Sequence, residues 1–199
     1  MNTGDARTEI ISSIRAHLAA SASHDGPETQ MNTGPCKSVS QRAVASVVDE
    51  FKRNLEAADG HCIIARDEHE VEAALAGITR DKRIASSDAP PPTKDLFNFD
   101  VGVTRAQAGI AETGTLVLDS SVEQNRLVSL VPPVHVAILE ASQIYATLGE
   151  TLAMLRSNGE LSHAITFITG PSRTADIELT LAIGVHGPQE LYVIVIQDN

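Results

Sequence analysis

The chain has no tryptophan, two tyrosines and four phenylalanines, so aromatic residues make up only 3% of its 199 residues. Positive charge is also scarce: 15 lysines and arginines stand against 26 aspartates and glutamates, a formal net charge of −11. Nucleic-acid binding relies on basic patches for phosphates and on rings for unpaired bases, and this composition is poor in both. No apolar run approaches the roughly 20 residues that a membrane-spanning helix requires. Asp5 and Glu9 interrupt the N-terminus, which is therefore expected to be no signal peptide, and the expected compartment is the cytoplasm. The two cysteines, Cys36 and Cys62, form no CxxC pair. They cannot by themselves supply a zinc knuckle or the usual cysteine set of an iron–sulfur cluster. The chain also lacks HExxH, a Walker loop, a GxGxxG fingerprint after a first strand and a GxSxG elbow. A dedicated metal site, ordinary nucleotide hydrolysis, dinucleotide binding and a serine triad are accordingly not expected.

What is present suits one substantial core: 42% hydrophobic and 21% charged residues, ordinary values for a globular protein. Residues 6–20 place Ile10, Ile14 and Leu18 on one narrow helical stripe. Ser21 to Ser40 are rich in Ser, Gly, Pro, Thr and Asn and read as a flexible linker. The expected division is thus 1–40, an N-terminal amphipathic helix and linker, and 41–199, a single α/β domain. From Gln41, the spacing of Val44, Val47, Val48, Phe51 and Leu55 predicts a helix. HCIIA follows as a strand, DEHEVEAALAGI as a helix with acidic residues in its first turn, and KRIAS as a second strand. A rigid proline loop leads to a strand–turn–strand in FDVGVTRAQAGIAETGTLVLDSS. RLVSLVPPVHVAILEAS reads as two short strands around a Pro-Pro corner, and SQIYATLGETLAMLRSN as a helix capped by Ser142. The stretch from Ala164 to Ile196 reads as a buried strand, a Gly-Pro-Ser turn, a short helix, a Gly-His-Gly-Pro turn and a final strand. Strands alternating with helices predict a mostly parallel sheet with helices on both faces. In such sheets ligands gather beyond the carboxyl ends of the strands.

Three segments, VTRAQAGIAETGTLVLDS, NRLVSLVPPVHVAILEAS and ITFITGPSRTADIELTLAIGVHGPQELYVIVI, occur in this order between Val103 and Ile196. Together they resemble the lactate-utilisation protein C family, also called the LUD domain. The resemblance implies a sheet of the NagB, ribose-phosphate isomerase and CoA-transferase type. It also implies a part in the oxidation of L-lactate to pyruvate beside two iron–sulfur partner proteins. No cofactor is expected in this chain, and the clusters are expected on those partners.

The first candidate site is Gly170-Pro171-Ser172-Arg173-Thr174. Read structurally, Ser172 or Thr174 caps the helix that follows. Read functionally, free backbone N–H groups and the positive helix end form an anion cradle. Arg173 would then meet two oxygens of a phosphate or carboxylate with its planar fork. Asp176 shares that helix face or forms a plain surface pair with Arg173. Glu112, ahead of Gly114 in Ala111-Glu112-Thr113-Gly114-Thr115, is a turn residue, a ligand-binding carboxylate or a nucleophile. In the last role it weakly resembles the glutamate-containing turn of CoA transferases. His186, with Gly184 and Gly187 about it, is a general acid–base group or fills a tight turn. Arg105 and Arg126 are expected to complete a basic lining for a small carboxylate or phosphate. His135, inside the apolar run VHVAIL, reads as a satisfied core or strand-end histidine. Three function classes remain open at this point. One is a component of lactate oxidation acting with iron–sulfur subunits. Another is a free-standing transferase or ligase acting on an acyl-CoA, sugar phosphate or folate, with Glu112 essential. The third is a non-catalytic scaffold or regulatory subunit.

Overall fold

The computed structural model of the protein describes residues 44–88, 90–120, 126–157, 164–174, 182–183 and 186–197. The helix and linker expected over 1–40, and the short helix expected after Thr174, lie outside them.

Val47, Val48, Phe51 and Leu55 fall on one stripe, and that stripe is the buried face of helix α1 (Val44–Ala57). The helix ends where Asp59 turns left-handed at φ 59° and the Gly60 N–H donates to the Leu55 carbonyl, 3.0 Å away, a C-terminal closure more often built with Gly or Asn. Helix α2 (Glu68–Thr79) begins at Asp67, whose side chain accepts the Glu70 N–H at 2.8 Å. The Glu70 carboxylate reaches back to the Arg66 N–H at 2.9 Å, so the two acidic residues together satisfy donors of the helix start.

Five strands form the main sheet: β1 (His61–Ala65), β2 (Ile84–Ser86), β3 (Val101–Arg105), β6 (Val134–Glu140) and β11 (Glu190–Ile196). Their order is β1-β11-β6-β3-β2 and every pairing is parallel. Side chains alternate between its faces. Val134, Val136, Ile138 and Ile194 pack with Val71 of α2, while Ala137, Leu139, Val193 and Val195 pack with α1. The expected mostly parallel sheet, with helices on both faces, is thus the architecture found.

A second sheet departs from the sequence reading. Strands β4 (Ala108–Ile110), β5 (Thr115–Asp119), β7 (Ile144–Tyr145) and β8 (Ile165–Ile168) lie in the order β7-β4-β5-β8, with antiparallel β4–β5 and β5–β8 pairs. Leu116 and Leu118 join the core around α1. Val117 faces the other way, towards Leu155 of helix α3 (Leu148–Ser157). The expected strand–turn–strand over 99–121 is therefore three strands. Gln107 makes the crossing: its N–H donates to the Val117 carbonyl at 3.0 Å and its side-chain oxygen accepts the Asp119 N–H at 2.6 Å.

Other boundaries move for local reasons. Residues 126–129 form a 3-10 turn before the Pro132–Pro133 corner, so that region holds one seven-residue strand rather than two. Ser142 lies in another 3-10 turn, and residues 144–145 pair with β4 before α3 begins. The cap of α3 is Thr147, whose hydroxyl accepts the Glu150 N–H at 3.2 Å. Strand β8 is an edge strand with Phe167 44% exposed, not the buried strand expected. Arg173–Thr174 (β9) are extended and pair antiparallel with Ala182–Ile183 (β10), so no helix starts at Ser172.

Candidate functional site

At Gly170 the chain leaves β8 with φ 76°, and a Cβ there would stand 2.2 Å from the Ala58 carbonyl oxygen. Only glycine lets this turn press against the end of α1. Two residues on, the Ser172 N–H donates to the Pro188 carbonyl at 2.8 Å, which ties together the two turns singled out in the sequence. Gly170, Ser172 and His186 consequently line one cavity of about 220 Å³, along with His135 and Leu191. Those last two residues are register partners near the start of β6 and β11. The cavity therefore sits at the amino end of the parallel strands, between the main sheet and β8. Beyond the carboxyl ends lies a different hollow, bordered by Val44, Val48, Ala141 and Gln197 and, among the described residues, by none of the candidate site residues.

His135 is 1% exposed. Its Nε2 lies 2.8 Å from the Thr104 hydroxyl on the neighbouring strand β3, and its Nδ1 has no hydrogen-bond partner among the described residues. Burial lowers its pKa from 6.5 to about 4, so the ring is neutral at physiological pH. The core position was legible in VHVAIL. The expected satisfaction is not found: among the described residues one of the two ring nitrogens has no partner.

Glu112 lies elsewhere. Its carboxylate accepts the Leu148 N–H at 2.8 Å and its own N–H donates to the Ala146 carbonyl at 3.1 Å. The negative charge thus rests at the positive end of α3. Gly114, two residues on, has φ 64°, and a Cβ there would meet the Leu55 nitrogen at 2.2 Å. This turn is shaped to fit α1. Above it opens a groove of about 360 Å³ bordered by Glu112, Thr113, Leu148, Leu152 and Phe167. A hydroxyl chain runs along its base, Thr113 to Thr115 at 2.7 Å and Thr115 to Thr169 at 2.6 Å. Glu112 and His186 therefore belong to separate hollows that share only the wall formed by Phe167 and Thr169.

The arginines do not converge among the described residues. Arg173 pairs with Asp59 at the end of α1, and Arg105 lies 3.8 Å from Asp88. Arg126 is exposed on its 3-10 turn. In an acidic protein each arginine meets a carboxylate readily, and sequence spacing does not reveal such long-range partners. Thr174 belongs to β9, and Asp176 lies outside the described residues. Among these residues no helix is long and apolar enough to cross a membrane.

Residues 92–196 match the model of the LUD domain. An uncharacterized protein of Neisseria meningitidis serogroup B is 47% identical over 109 residues, 52% of this chain and 45% of that protein. Lactate utilization protein C of Bacillus licheniformis is 33% identical over 153 residues, 70% of this chain and 64% of that protein. Lactate utilization protein C of an Exiguobacterium strain is 31% identical, over 77% of this chain and 69% of that protein. The chain thus spans between about half and two thirds of the length of the curated relatives it matches. The crystal structure of a DUF162 family protein from Deinococcus radiodurans shares the fold, with TM-score 0.58 and 21% identity over 78% of this chain and 99% of that one. From the family model and from these relatives, the chain belongs to the LUD domain family, in the company of lactate utilization protein C.

Proposed function

We propose that this chain is a cytoplasmic component of the oxidation of L-lactate to pyruvate, working with iron–sulfur partner proteins. The observation that carries the reading is the similarity to relatives named lactate utilization protein C, which reaches over 77% of the chain. The chemistry of the chain supports a division of labour. Lactate oxidation releases two electrons, and a protein with two cysteines needs centres on other chains to receive them through iron–sulfur clusters. The ligand of this component is a small carboxylate held in the cavity where Gly170, Ser172 and His186 meet. A pocket between two sheets, apolar with a few polar groups, suits a small ligand. Residues 1–40 act as a separate segment in assembly.

The test is complementation. A bacterial strain deleted for its own lactate utilization protein C should regain growth on L-lactate when it expresses this chain. A tagged copy should also retain the iron–sulfur subunits on purification. Failure of both in a strain where the native protein succeeds would remove the proposal.

A further inference from the structure

We infer that the groove above Glu112 is where a second copy of this chain docks, the α3 helices of the two copies lying antiparallel across a two-fold axis at Leu152. Six large apolar side chains are exposed among the described residues. Three of them, Leu148 at 42%, Leu152 at 37% and Phe167 at 44%, border this one groove. Single exposed apolar residues are ordinary on a protein surface. A cluster of them around a hollow of about 360 Å³ marks a surface that meets a partner. Thr151 and Leu155 take the buried face of α3, and Leu155 packs with Val117 of the second sheet. Leu148 and Leu152 are left on the flank that forms one wall of the groove, opposite Phe167 and Thr169.

Charge identifies the occupant. The exposed Glu112 accepts the Leu148 N–H at the start of α3, and Arg156 is exposed in the last turn of the same helix. Leu148, Leu152 and Arg156 are spaced i, i+4, i+8 and so follow one side of the helix. Eight residues at 1.5 Å each set the two ends about 12 Å apart. The patch is therefore negative at one end, positive at the other and apolar between. A partner charged with one sign would be attracted at one end and repelled at the other. A second copy turned end for end sets Leu152 against the partner's Leu152 and Glu112 against the partner's Arg156, and the two-fold axis repeats the ion pair. Each arginine stem would cover a leucine while its guanidinium meets the carboxylate. Parallel helices would instead bring Glu112 against the partner's Glu112. The net charge of −11 does not prevent pairing, because physiological salt screens charges beyond about 8 Å and leaves those in contact effective.

The experiment is sedimentation equilibrium of the full chain from about 1 to about 100 μM, at neutral pH and physiological salt. The mass should rise towards that of a dimer across this range. Leu152→Glu should weaken pairing about tenfold or more. Phe97→Glu, at a side chain 81% exposed that does not border the groove, should leave pairing unchanged. Circular dichroism should show both variants folded. Glu112→Gln, which keeps an acceptor for the Leu148 N–H, and Arg156→Gln should each weaken the dimer several-fold. The double variant should lose no more than either single one, because the same ion pair is broken in every case. A chain that stays monomeric at about 100 μM would overturn the inference, and so would a dimer indifferent to Leu152→Glu. Fully additive losses from the two charge variants would overturn the antiparallel pairing. A monomer whose groove takes up an apolar dye, and releases it in Leu152→Glu, would give the groove to a different occupant and end the case for a second copy.

Discussion

The Thr104 hydroxyl stands 2.8 Å from Nε2 of His135, across two neighbouring parallel strands and inside the core. Burial in this core places a titratable ring where protonation is unfavourable, and so couples the fold to acid. Burial lowers the histidine from 6.5 to about 4. Between those values the unfolded chain takes up a proton that the native chain does not, so stability falls as pH drops through this window. A shift of that size corresponds to about 3 kcal/mol, lost progressively as the pH approaches 4. Urea melts at pH 7 and pH 4.5 should show the loss, and His135→Phe should flatten it. An equal loss in the variant would place the titration elsewhere. Asp100 acts in the same direction at lower pH, because the Arg83 side chain holds its carboxyl below the usual range.

Gly114 and Gly170 predict a different kind of sensitivity. Both have positive φ, and a Cβ on either would strike the backbone at the end of α1. Replacing either by alanine should therefore destabilise the protein by about 2 kcal/mol or more, from backbone strain and collision together. Gly77 in α2 provides the control, since a Cβ there meets nothing within 4 Å. Gly77→Ala should stabilise by about 0.5–1 kcal/mol through helix propensity. Urea unfolding of the three variants should give opposite signs. A neutral Gly114→Ala would contradict the close approach.

These glycines show where sequence reading stops. In the sequence Gly170 belongs to the candidate anion cradle and Gly114 to the turn after Glu112; in the fold both let the chain approach the end of α1. The contact joins Gly114 to Leu55 and Gly170 to Ala58, and no local pattern encodes it. Arg173 and Arg105 are similar, because their partners Asp59 and Asp88 are distant in the chain or lack a periodic signal. Long elements were legible: the stripe of α1 and the apolar runs of β1, β6 and β11 carry enough residues to display a period. The second sheet was not, because a strand such as Ala108–Ile110 is too short to show alternation. The cavity was half legible. Its rim turns both precede the last strand and are rich in glycine, whereas His135 looks from sequence like any core histidine.

Glu112 separates a structural carboxylate from a reacting one. Its hydrogen bond to the Leu148 N–H satisfies a donor at the start of α3, so Glu112→Ala should cost about 1 kcal/mol. Glu112→Gln keeps an acceptor oxygen and loses only the charge at the helix end, an effect of about 0.3–1 kcal/mol. Both variants should still support growth on L-lactate in the complemented strain. A nucleophilic carboxylate behaves differently: the glutamine variant would fold normally and abolish growth. Urea melts and growth rates, measured on the same two variants, distinguish the cases.

Cys62 should be chemically quiet. It lies on β1, half-buried, and packs against the core around α1. Burial raises its thiol from 9.0 to about 11, with Lys52 lowering it slightly and Glu56 raising it. Only the thiolate attacks a disulfide reagent, and at pH 8 roughly one such thiol in a thousand is ionised. In a Cys36→Ser background, native protein should therefore react with a thiol reagent about a hundredfold more slowly than the same chain in urea. Binding of a ligand in the cavity should leave this rate unchanged, since Cys62 does not line it. A native rate equal to the unfolded one would mean that β1 opens readily, and would undo the placement of this thiol against the α1 core.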